Sequence, residues 1–137
     1  RERYAPPQKR AGEGENSFIK EGKVDTSRVY IAGLSMGGMG TYEMVQRNPE
    51  TFAAAIAICG AGSTSEVPNY ALNTPFWVIH GADDNVVKPT YSLQMAEAML
   101  EAGAKPRVTV YENANHNSWD PAFAEPDFLL WLFSHTK

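Results

Sequence analysis

Ser35, the adjacent carboxylates Asp83 and Asp84, and His116 are the residues whose types and order could do chemistry together. A serine hydroxyl is a poor nucleophile at neutral pH and needs a base beside it. A histidine can take the proton during attack and return it to a leaving group. A carboxylate next to that histidine fixes its tautomer and stabilises the imidazolium. Ser35 sits in Gly33-Leu34-Ser35-Met36-Gly37, a G-x-S-x-G pattern. The pattern places serine at the tip of a sharp strand-to-helix turn with its hydroxyl exposed. Glycine at 33 and 37 is expected to relieve crowding two residues either side of the serine. The following helix turns its free amides and positive end toward the serine. The Met36 N–H is therefore the candidate donor to an oxyanion.

The pattern alone recurs by chance, so its neighbours matter. Arg28-Val29-Tyr30-Ile31-Ala32 is β-branched and aromatic, and predicts a strand over 28–33. A helix over about 36–47 follows and stops at Asn48-Pro49. The apolar run 52–59 is alanine-rich, yet it is short and bounded by Pro49 and Gly60, which favours a strand. Residues 60–74 are small and polar and read as a loop, too short for a large lid. A strand over 75–81 has Trp77 in its core and ends at His80-Gly81. Pro89 opens a helix over about 89–102, with Leu93, Met95, Ala96, Met99 and Leu100 as its stripe and Gly103 as its cap. A strand over 107–111 and a helix over about 126–135 complete the order. Phe128, Leu129, Trp131 and Leu132 are that helix's expected apolar face.

Strands alternating with helices at short spacing predict an α/β fold with a parallel sheet covered on both faces. Ligands in such sheets bind beyond the carboxyl ends of the strands. Ser35, the Asp83-Asp84 pair and His116 each follow a different strand at that end. His80 is expected to tie the strand exit by hydrogen bonds, and no third ligand is spaced to make a metal site with it. His135 suits the negative end of the last helix. Trp119 and Phe123 flank the histidine loop and are candidates to line a substrate pocket, with core packing as the alternative.

Composition narrows the class. The 137 residues suggest one domain, with 1–27 an irregular N-terminal segment and 28–137 the folded part. Ser17–Glu21 within that segment can make one helical turn. The net charge of −4 and the lack of a Lys/Arg cluster exclude a nucleic-acid or anionic-membrane surface. Cys59 is the single cysteine, so no intrachain disulfide forms, and its apolar surroundings suggest packing. No apolar run approaches the ~20 residues that span a bilayer. No signal peptide is visible, and the compartment stays open.

The stretches Asp25–Thr41, Pro75–Val87 and His116–Asp120, with the closing Trp131-Leu132 helix, resemble the α/β-hydrolase superfamily. Within it they are similar to carboxylesterases of the predicted-peptidase, phospholipase/carboxylesterase and polyhydroxybutyrate-depolymerase-like group. The resemblance implies that Asp84 is the acid, in a H-G-x-x-D-x-V-V pattern, and His116 the base. It implies a serine esterase working through an acyl-enzyme without a cofactor or metal, on small-molecule or polysaccharide-linked esters such as acetyl or feruloyl esters. Some such relatives are exported. The resemblance covers only the fifth to eighth strands of the superfamily's eight-stranded core, so an incomplete core is expected. The loop that supplies a second oxyanion donor falls outside it. The strand at 28–33 then keeps an open edge. A second copy or the N-terminal half of the same enzyme would cover that edge. The rival reading is a non-catalytic half-hydrolase. Thioester and amide hydrolysis would use the same residues.

Overall fold

A computed structural model describes residues 24–137. The irregular segment and helical turn expected before residue 24 lie outside the described residues. Four strands run in parallel: β1 (Tyr30–Leu34), β2 (Ala54–Ile58), β3 (Phe76–Gly81) and β4 (Arg107–Tyr111). Their spatial order is the chain order. Right-handed crossovers between successive neighbours put every intervening element on one face. That face carries α1 (Met36–Arg47), a 3₁₀ helix (Thr64–Asn69) and α2 (Pro89–Glu101). After β4 the chain passes to the other face as α3 (Trp119–Phe123) and α4 (Phe128–Phe133).

Strand alternation divides the core. Ala55, Ala57, Phe76 and Val78 point toward α1 and α2, where they meet Tyr42, Val45, Met95 and Met99. Ala54, Ile56, Ile58, Trp77 and Ile79 point the other way, toward Ala122, Phe128 and Leu132. Every residue of β2 and β3 is buried, because helices cover both faces and neighbours cover both edges. This settles the alanine-rich run as a strand: tertiary burial outweighs alanine's helix preference. Gly103 follows α2 with φ +93°, a conformation that glycine adopts without strain.

Several expectations need correction. The 60–74 stretch is not all loop, since Thr64–Asn69 forms a 3₁₀ helix that buries Val67, with Tyr70 and Ala71 buried just beyond it. The last helix is shorter than 126–135 and begins at Phe128; Asp127 caps it after a turn at Pro126. A separate helix, α3, was not foreseen from the sequence, because Pro121 lies within its five residues. Leu93, Leu100 and Leu129 are exposed, so the buried faces of α2 and α4 are narrower than their apolar content suggests. The buried polar Ser92 takes a place on the inner face of α2.

Trp77 is fully buried and packs against Phe128 and Trp131, with its Nε1–H donated to Thr109 Oγ1 at 3.0 Å. The Arg107 guanidinium lies 3.8 Å from its ring centre and pairs with Asp127. Trp77→Ala should cost about 3–5 kcal/mol in urea unfolding. A loss under about 1 kcal/mol would contradict this account of the second core.

Candidate active site

The site is built where three strands end. Ser35 follows β1 directly and serves as N-cap of α1, with φ 54° and ψ −117°. Such a conformation costs a non-glycine residue of order 1–3 kcal/mol and needs surrounding structure to hold it. Here the Ser35 N–H donates to the Ile58 carbonyl at 2.9 Å, and the Ser35 carbonyl accepts from Met39 N–H at 3.0 Å. Gly33 is required at its position: a Cβ there would lie 2.2 Å from the Gly37 carbonyl oxygen. The expectation for Gly37 does not hold, because a Cβ on it meets nothing within 4 Å among the described residues. Gly38 instead carries the second constraint, since a Cβ there would lie 2.7 Å from the Ile58 carbonyl oxygen.

Asp84 and His116 come from the exits of β3 and β4. The acid loop is tied to the histidine loop by backbone bonds, Ala82 N–H to Tyr111 O and Asp83 N–H to Ala114 O, both at 2.9 Å. Gly81 makes this approach possible: a Cβ on it would stand 2.4 Å from Asn115 O and 2.5 Å from Ala114 O. The structure also separates the two carboxylates. Asp83 is exposed, whereas Asp84 is 4% exposed. Asp84 Oδ1 accepts from Val86 N–H at 2.8 Å and Val87 N–H at 2.9 Å. Its Oδ2 lies 2.8 Å from His116 Nδ1, and His116 Nε2 lies 2.8 Å from Ser35 Oγ. A carboxylate only accepts, so Nδ1 carries the proton and Nε2 presents its lone pair to the serine hydroxyl. The predicted trio is therefore one hydrogen-bonded line. Burial is the largest influence on the Asp84 carboxyl and pushes it up. Hydrogen bonds from His116, Val87 and Val86 together outweigh burial and hold it below its ordinary 3.8.

The rest of the site follows from the same loops. The amides of Met36 and Gly37 open α1 and have no i−4 carbonyl in the helix to bond. Met36 itself is exposed, and Ser35 is half-buried. Trp119 packs edge-on against the His116 ring at 5.3 Å. Phe123 packs edge-on against Phe128 and is otherwise exposed. His80 is buried with both ring nitrogens hydrogen-bonded, as its structural reading required. His135, half-buried beyond the end of α4, donates from Nδ1 to Trp131 O at 2.8 Å and lies tilted against the Trp131 ring.

Cys59 was expected to be packed, and it is buried, but its place was not legible. Its thiol donates to the His116 carbonyl at 3.8 Å, and burial raises its pKa above 9.0, so it stays protonated. Cys59 Sγ, an Asp84 oxygen and a His116 nitrogen lie within 4.8 Å of one another. They form the one potential metal-ligand group among the described residues. Both His116 nitrogens are already engaged within the line. No helix among the described residues is long and apolar enough to cross a membrane.

A parallel sheet with a strained serine between strand and helix, and acid and histidine on later strand exits in that order, defines the α/β-hydrolase fold. A model of the dienelactone hydrolase family matches residues 12–127, and the chain belongs to that family. A solved structure described as a thermostable esterase is 37% identical, with a TM-score of 0.86 over 91% of this chain and 35% of its own. A probable acetylxylan esterase A of Aspergillus flavus is 32% identical over 119 residues, 82% of this chain and 37% of its own length. A bifunctional acetylxylan esterase/xylanase of Neocallimastix patriciarum is 35% identical over 82 residues, 60% of this chain and 12% of its own. The chain thus spans little more than a third, at most, of these relatives.

The Asp84 shift has a consequence for stability. A carboxyl held below its unfolded value of about 3.9 stabilises the fold above that pH, and the contribution is lost as pH falls through the folded value. The unfolding free energy of the parent should therefore fall more steeply below about pH 4 than that of Asp84→Asn. Parallel acid titrations, read by denaturant midpoints, check this. Identical slopes would contradict it.

Proposed function

We propose that this chain carries the catalytic residues of a carboxylic ester hydrolase working through an acyl-enzyme. Ser35 is the nucleophile, His116 the acid/base and Asp84 its orienting carboxylate. Ser35 Oγ attacks the ester carbonyl while His116 Nε2 takes its proton. The tetrahedral oxyanion forms beside the α1 terminus, where the Met36 N–H donates to it. Collapse expels the alcohol, which receives the proton from His116. Water then repeats the cycle on the acyl-serine and releases the acid. The observation that carries this reading is the unbroken line Ser35 Oγ–His116–Asp84, with both links at 2.8 Å.

Acetyl esters of a polysaccharide are the substrate class this reading favours. Relatives named as acetylxylan esterases support it. Trp119, edge-on to His116, is placed to contact the sugar or alcohol side. No cofactor or metal enters the scheme.

A second reading rests on β1, which lies at the sheet edge among the described residues. There the chain is one portion of a hydrolase, completed by an N-terminal portion that pairs with β1 and supplies the second oxyanion donor. A single donor is worth on the order of 10²–10³ in turnover.

p-Nitrophenyl acetate and acetylated xylan test both readings. The parent should hydrolyse both, and Ser35→Ala should lose on the order of 10⁶-fold in kcat. Activity unchanged by Ser35→Ala would sink the proposed mechanism. A silent parent that gains activity when a longer chain is tested would favour the second reading.

A further inference from the structure

His80 is a fully buried imidazole that the proposed acyl-transfer scheme does not use. Its surroundings fix its protonation. Nε2 lies 2.7 Å from the Val87 carbonyl oxygen, which can only accept, so Nε2 carries a proton. Nδ1 lies 2.6 Å from Ser92 Oγ. Burial, opposed by the Val87 bond and the Asp84 charge, lowers the His80 pKa below 6.5, and the ring is neutral. Nδ1 is then a bare acceptor, and the Ser92 hydroxyl donates to it. Ser92, itself buried on the inner face of α2, thereby selects the Nε2–H tautomer.

The same Nε2 stands 3.3 Å from Asp84 Oδ2, the oxygen that receives His116 Nδ1–H. Val87 closes the loop from the other side. Its N–H donates to Asp84 Oδ1, while its carbonyl accepts from His80. His80 thus stands against Oδ2 directly and reaches Oδ1 through the Val87 peptide. We infer that His80, with its tautomer set by Ser92, is a positioning residue for the proposed catalytic acid: its Nε2–H clamps the Val87 peptide and Asp84 Oδ2 so that the carboxylate faces His116. This rests on the reading of Asp84 as the orienting carboxylate. A buried carboxylate that bonds its histidine through one oxygen needs its other contacts fixed, or it rotates and the histidine loses its tautomer.

The test uses the full chain as His80→Leu, His80→Gln and Ser92→Ala, each first shown to be folded by circular dichroism. Two readouts are taken: kcat and KM on p-nitrophenyl acetate, and the low-field proton resonance of the His116–Asp84 hydrogen bond. His80→Leu should lower kcat on the order of 10-fold with KM unchanged, and should shift or abolish the resonance. His80→Gln, whose amide N–H reaches the same point, should restore both. Ser92→Ala frees Nδ1 at little change in volume and carries the test if His80→Leu does not fold. It should move the resonance in the same direction. An unmoved resonance in a folded His80→Leu or Ser92→Ala protein overturns the inference, whatever its activity. A parent without hydrolysis counts against the proposed function and leaves the resonance to decide the role of His80.

Discussion

The Ser35 amide donates to the Ile58 carbonyl, the Cys59 amide to Ile79 and the Ala82 amide to Tyr111. Each bond carries parallel pairing one residue past the end of a strand. These continuations set the height of all three strand exits, and the rest of the site depends on them. Parallel pairing with sequential order leaves the exits of β1 to β4 side by side. A line of three residues drawn from three of those exits can then be straight and short. Three non-glycine residues have positive φ among the described residues: Ser35 at 54°, Cys59 at 43° and Asn113 at 60°. They lie just after β1, β2 and β4. Strain of order 1–3 kcal/mol each is therefore concentrated where the chain leaves the sheet toward the site. The two buried cores below the exits offset it.

Close backbone approach is the second requirement. Gly33 lets the turn close on α1, Gly38 and Gly60 let α1 sit against the exit of β2, and Gly81 lets the histidine loop lie on β3. The energetics then follow from burial. Asp84 is taken out of water, and its ionised form persists because three hydrogen bonds replace hydration. His116 keeps a side chain 20% exposed, and its Nε2 meets the serine hydroxyl at 2.8 Å. The buried acid and the reachable base are the arrangement that acyl transfer needs.

Much of this was legible in the residues. The strands 54–58 and 107–111 follow from β-branched or bounded apolar runs, and Ser35 from glycine spacing. The choice between Asp83 and Asp84 was not fixed by residue type, since both could stand in a turn. Resemblance favoured Asp84, and the structure buries it and exposes Asp83 for a local reason: the turn to Val86 and Val87 offers two amides to one of them only. What was illegible depends on contacts between distant segments. Gly81 carries a signal as a glycine at a strand exit, yet its partner Ala114-Asn115 is set by tertiary placement. Cys59 beneath His116 and Ser92 behind His80 give no local signal at all. The short helix α3 contradicts propensity, because its single turn is held by packing of Ala122 in the second core.

The family assignment places the fold, while the reaction rests on whether the line of three works as an assembled unit. The most direct measurement is covalent labelling of the full chain by a fluorophosphonate, followed by mass spectrometry of the modified peptide. An assembled line predicts stoichiometric labelling at Ser35 that disappears in His116→Ala, because the hydroxyl loses its base. Absence of label in the folded parent, or equal labelling in His116→Ala, would contradict the account.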